Sequence, residues 1–118
     1  MRAALLLVAL CAASAPAAAK PPRLPPYPKA LRCAALTEAS ATLAKGGAEE
    51  SLRFDQALFW GMAASEAARK AKRPSADFTR DQRSEGGAAL ARLKAADEAA
   101  LADLEDCRRQ VPPLNGRG

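Results

Sequence analysis

Histidine and isoleucine are both absent from the 118 residues, and valine occurs only twice. Without histidine the chain lacks the commonest general base and metal ligand, so a serine-hydrolase triad, a zinc hydrolase site and haem attachment through Cys-x-x-Cys-His each miss a necessary part. The near loss of β-branched aliphatic residues removes the side chains that favour strands. Aromatic residues make up 4% of the chain, which leaves little bulky material for a core. What the chain does have is 31 alanines and 15 leucines, the strongest helix formers. An all-α fold in one small domain follows.

The N-terminus reads as an export signal. Met1-Arg2 supplies a positive start, residues 3–13 are an uncharged apolar run, and Ala17-Ala18-Ala19 forms a small-residue cleavage site before Lys20. Residues 1–19 are therefore expected to be a signal peptide, with a cut after Ala15 as the second choice. The run is short of the roughly 18 to 20 apolar residues that span a bilayer. Cys11 follows Leu10, where a lipid-attachment signal needs a small residue, so it belongs to the apolar run. The expected location is the periplasm or the cell exterior.

Beyond residue 19 two cysteines remain, Cys33 and Cys107, and in an oxidising compartment two such cysteines pair. No Cys-x-x-Cys unit is present to tune a reactive thiol, which favours a structural disulfide. Closing so long a loop contributes about 4 kcal/mol on the chain-entropy model, comparable to the whole net stability of a small domain.

Residues 20–28, KPPRLPPYP, hold five prolines and predict an extended arm. Pro28 suits the first turn of a helix over residues 29–45, which Gly46-Gly47 closes. A second helix runs from Glu49-Glu50 to Arg69-Lys70-Lys72-Arg73, its end charges complementing the helix dipole, and Pro74 stops it. A third starts near Ser75, or a turn later at the Thr79-Arg80-Asp81-Gln82 capping pattern, and ends near Gly86-Gly87. In a fourth, over residues 88–111, Leu90, Leu93, Ala100, Leu104, Cys107 and Val111 fall at alternating spacings of three and four. Residues 112–118 form a tail.

The glycine pair could instead lie within one long helix from Ser75 to Val111. Three antiparallel helices would leave Cys33 and Cys107 at opposite ends, separated by more than about 25 Å, against the roughly 7 Å a disulfide tolerates. Four helices bring them to the same end, so an internal bridge requires Gly86-Gly87 to be a turn or sharp break. The expected architecture is a small antiparallel four-helix bundle over residues 29–111, stapled by one disulfide.

Packing is expected to be close. Ala57, Gly61, Ala64 and Ala68 form a small-residue stripe on the second helix, and Ala88, Ala91, Ala95, Ala99 and Ala102 form another on the fourth. Leu58, Phe59 and Met62 are expected as a core layer, with Phe54, Trp60 and Phe78 as larger plugs. An exposed Trp60 would instead mark a partner surface.

For chemistry the candidates are few. The heptad places Asp97 on the inward seam, a possible buried polar site with Arg32, Arg53 or Arg83 as partners. An all-helical chorismate mutase would need no histidine, but the first helix lacks the spaced arginine and lysine such an enzyme carries. No catalytic, metal or cofactor residue is assigned. Despite the formal charge of +5, the basic residues are spread out with few aromatics between them, which argues against nucleic acid. Lys20, Arg23, Lys29 and Arg32 form an acid-free basic stretch that could touch an acidic partner or an anionic membrane surface.

The strings RCAAL, DQALFWGMAASEAAR, DFTRDQ and LADLEDCRRQVP, framed by the two cysteines, resemble short secreted helical proteins of unassigned function from alphaproteobacteria. That resemblance spans residues 31–112 and implies a helical fold with no activity to transfer. The expected role is a non-enzymatic accessory or protein-binding module of the envelope whose partner is another envelope protein.

Overall fold

The computed structural model describes residues 23–113. The expected signal peptide, Lys20 and residues 114–118 lie outside them. Within them the chain forms four helices and no strand: α1 Tyr27–Leu43, α2 Glu50–Lys70, α3 Ser75–Lys94 and α4 Glu98–Arg109. The all-α four-helix bundle stands as expected.

Helix α1 is the axis of the bundle. Nine of its seventeen residues are buried, among them Ala30, Ala34, Ala35 and Ala39, and it packs against each of the other three helices. Pro28 sits in its first turn, where the missing N–H costs nothing. The arm accordingly stops at Pro26, and Tyr27 and Pro28 belong to the helix. The Thr37 hydroxyl donates to the Cys33 carbonyl at 2.7 Å, which satisfies a buried polar side chain without a partner helix. Around α1 the core is mostly alanine, closed by Leu36, Trp60, Leu93, Leu104 and the disulfide.

Cys33 and Cys107 are bridged, with Cα atoms 5.5 Å apart. The argument that four helices bring them to one end holds, but the turn that makes it possible is elsewhere. Gly86 and Gly87 lie inside α3, and the reversal occurs at residues 95–97. Two mid-helix glycines cost roughly 1 kcal/mol each relative to alanine, too little to break a helix whose later residues Ala89 and Leu93 are buried against the core. Ala96 instead takes the left-handed conformation, φ 52°, while Asp97 N–H donates to Arg92 O at 3.0 Å and Ala96 N–H to Leu93 O at 3.1 Å. These are the two bonds of a Schellman stop.

The same device ends α2. Lys72 has φ 56°, Arg73 N–H donates to Ala68 O at 2.9 Å and Lys72 N–H to Arg69 O at 3.1 Å. Both stops use a residue with a side chain where glycine is the usual choice, at a cost of about 1–2 kcal/mol each. A polar cluster braces the first of them: the Tyr27 hydroxyl donates to Asp81 Oδ2 at 2.6 Å, and Arg73 reaches both Asp81 oxygens at 2.9 and 3.1 Å. Start of α1, end of α2 and α3 are thereby tied at one point.

One expected surface is reversed. Leu93, Ala100, Leu104 and Cys107 face the core as the spacing implied. Ala88, Ala91, Ala95, Ala99 and Ala102 are all exposed, so no small-residue stripe of a fourth helix is buried. The core-facing phase of Leu93, Ala100, Leu104 and Cys107 continues across the break, and these alanines lie off that phase.

Candidate interaction face

Helix α2 carries apolar residues on every side between its charged ends, and packing must choose which side goes in. The buried side is Gln56, Trp60, Ala64, Ala67 and Ala68. Trp60 is 1% exposed, its indole N–H donating to the Cys107 carbonyl at 2.9 Å, beside the disulfide. As a core plug it is placed as expected; as a partner contact it is excluded by burial. Gln56 accepts from Arg108 Nε at 3.1 Å, which closes the seam between α2 and α4.

Turning Trp60 inward turns the neighbouring large residues outward. Phe54 is 59% exposed, Leu58 53%, Met62 67% and Leu52 49%. The expected core layer of Leu58, Phe59 and Met62 is therefore corrected: only Phe59 packs against the core, edge-on to Trp60 at 5.4 Å between centroids. Phe54 is likewise a surface residue, whereas Phe78 packs against the core beside Tyr27. The physical reason is fit. The facing side of α1 is lined with alanine, and Ala64, Ala67 and Ala68 allow the two helices to approach closely, which a Leu58-Met62 layer would prevent.

Residues 23–26 cross beside this exposed face. Leu24 packs against the core, and Arg23, Leu24 and Pro25 with Leu58, Phe59, Met62 and Ala63 wall an open, largely apolar groove of about 720 Å³. Asp55 and Gln110 supply its polar rim.

The other candidate residues are placed as follows. Arg23 is exposed at the groove. Lys29 and Arg32 leave the arm and share a recess with Asp103 and Asp106 of α4 next to the disulfide, so the stretch that is acid-free in sequence is not acid-free in space. Asp97 is not a buried site. Its side chain is 40% exposed and caps α4, accepting from the Ala100 N–H at 2.9 Å, with Arg92 at 3.4 Å in place of Arg32, Arg53 or Arg83. The Ala100 N–H and the Arg92 charge hold its carboxyl below the usual aspartate range. Capping, which needs the aspartate at a helix start, overrides the heptad phase that had placed it inward.

Among the described residues no three His, Cys, Asp or Glu side chains stand together as a metal set, and no helix is long and apolar enough to cross a membrane. Comparison of the chain with protein-family models, with curated proteins and with solved structures finds no match.

Proposed function

We propose that the chain is a small exported, non-enzymatic protein-binding module of the periplasm or cell envelope, with the outward face of α2 and the adjoining arm as its contact surface. The observation that carries this reading is the exposure of Phe54, Leu58 and Met62 on one helix while alanines fill the core side of the same helix. Full burial of a side chain of that size is worth about 1.5–3 kcal/mol, and each of these is more than half exposed, so a partner covering them gains roughly half of that per residue. Export is supported by the signal-like residues 1–19 and by the disulfide, a bond that persists in oxidising compartments.

Contact with an anionic surface through the basic stretch is the weaker reading, because Lys29 and Arg32 already stand beside Asp103 and Asp106. Two measurements test the proposal. Intact mass of the exported chain should correspond to a start at Lys20 and rise by two hydrogens on reduction; an unprocessed chain kept in the cytosol would overturn export. A photo-crosslinking residue at Leu58 should capture protein in cells, whereas one at Ala102, exposed on α4, should not. Capture at neither position would overturn the binding role.

A further inference from the structure

We infer that the partner on the outward face of α2 is a second copy of this chain, packed antiparallel about a two-fold axis near residue 60. This rests on the reading of that face as a protein-binding surface and names its occupant.

The face is complementary to itself. Residues 56–65 carry no charge, whereas acids outnumber bases by two across residues 49–55 and bases outnumber acids by three across residues 66–73, or by two once Arg73 is paired with Asp81. A parallel copy would set like ends together. An antiparallel copy lays the Glu50 end of each helix along the Arg69 end of the other, and a two-fold axis makes that match twice. Opposed helix dipoles add in the same direction.

Of the outward apolar residues Phe54, Leu58 and Met62, the last two obey the same symmetry, while Phe54 falls opposite Glu66. Residue 60 is the midpoint of Glu50–Lys70, and Leu58 and Met62 are equally spaced about it, so Leu58 of one copy falls opposite Met62 of the other. Gly61 lies at the edge of this stripe with nothing within 4 Å of where a Cβ would stand, which leaves room for a side chain of the second copy. One helix face covers only a few hundred Å² per copy, the scale of weak, reversible association, half-complete on the order of tens of micromolar.

The test is sedimentation equilibrium of the oxidised chain from about 1 to 500 µM, with circular dichroism to confirm that each variant is folded. A monomer–dimer equilibrium is expected. Leu58→Glu, on the exposed face, should weaken it at least about tenfold. Glu50→Lys and Lys70→Glu, at positions that fall opposite each other about residue 60, should each weaken it several-fold, and the two together should return it to within about threefold of the parent, because each altered end meets its altered partner. A chain that stays monomeric throughout, a dimer indifferent to Leu58→Glu, or a combined variant no stronger than either single one overturns the inference. A monomer whose Leu58 crosslinks to a different protein discards the second copy and keeps the binding face. A monomer that captures nothing discards both.

Discussion

The two sides of α2 are built on opposite rules. The inner side is small, with Ala64, Ala67 and Ala68 lying against the alanines of α1 around one fully buried ring, Trp60. The outer side is large, with Phe54, Leu58 and Met62 standing in solvent. A helix that serves only its own core would carry the reverse pattern. The difference teaches that stability here comes from close backbone approach and a staple rather than from bulk, which leaves the bulky side chains on the surface.

The largest effects should come from attacking the inner side. Trp60→Ala should lower stability by about 3–5 kcal/mol, since it empties the largest buried volume and leaves the Cys107 carbonyl with only the longer bond from the Gln110 N–H at 3.3 Å. Denaturant unfolding of the oxidised chain measures it; a loss under about 1 kcal/mol would mean that the ring is not the core. Ala64→Leu, which places on the inner side a residue normal for the outer one, should cost about 1–3 kcal/mol by forcing α1 and α2 apart.

Smaller and opposite in sign are substitutions that correct the backbone. Ala96→Gly relieves the left-handed strain at the α3 stop, and Gly86→Ala adds a methyl where nothing lies within 4 Å. Each should stabilise by about 1 kcal/mol, read as a shift in denaturation midpoint. If Gly86→Ala destabilises, the reversal is at the glycines after all. On the outer side, Leu58→Glu should leave monomer stability within about 0.5 kcal/mol while it removes self-association.

Acid gives a further direction. The Tyr27 hydroxyl and Arg73 hold the Asp81 carboxyl below the usual aspartate range. A carboxyl lowered in the folded state contributes stability that is complete above its unfolded value and is lost as pH falls through its folded one. The acid side of the stability profile should therefore flatten in Asp81→Asn; equal profiles for Asp81→Asn and the parent would remove the cluster from the account.

Much of the fold was legible before any coordinate. Alanine and leucine content, proline punctuation and the same-end requirement of Cys33 and Cys107 lead to four antiparallel helices with the disulfide closed. The turn was misplaced because glycine is a strong local signal and a weak energetic one, while the actual stop at Ala96 is made by backbone bonds that no residue type announces. The outward face of α2 was hidden for a related reason. With apolar residues all round α2, the phase of Leu58 and Met62 and the phase of Gln56, Trp60 and Ala64 are both helical, and the rule that large residues go inside chooses wrongly. What selects the second phase is the alanine surface of α1, a tertiary partner that periodicity within α2 does not see. The sequence clue was the run of uncharged residues 56–65, which exceeds what one buried face needs.

Met62 reports on the whole comparison, because it stands on the outer side and is the sole methionine after Met1. Its oxidation by dilute peroxide, followed by mass spectrometry across protein concentration, should be close to that of a free methionine when the chain is dilute. The rate should fall several-fold as concentration reaches hundreds of micromolar. In Leu58→Glu it should stay fast throughout. Slow oxidation already in the dilute parent chain would place Met62 inside and contradict the outward face. A fast rate independent of concentration would contradict the second copy that covers it.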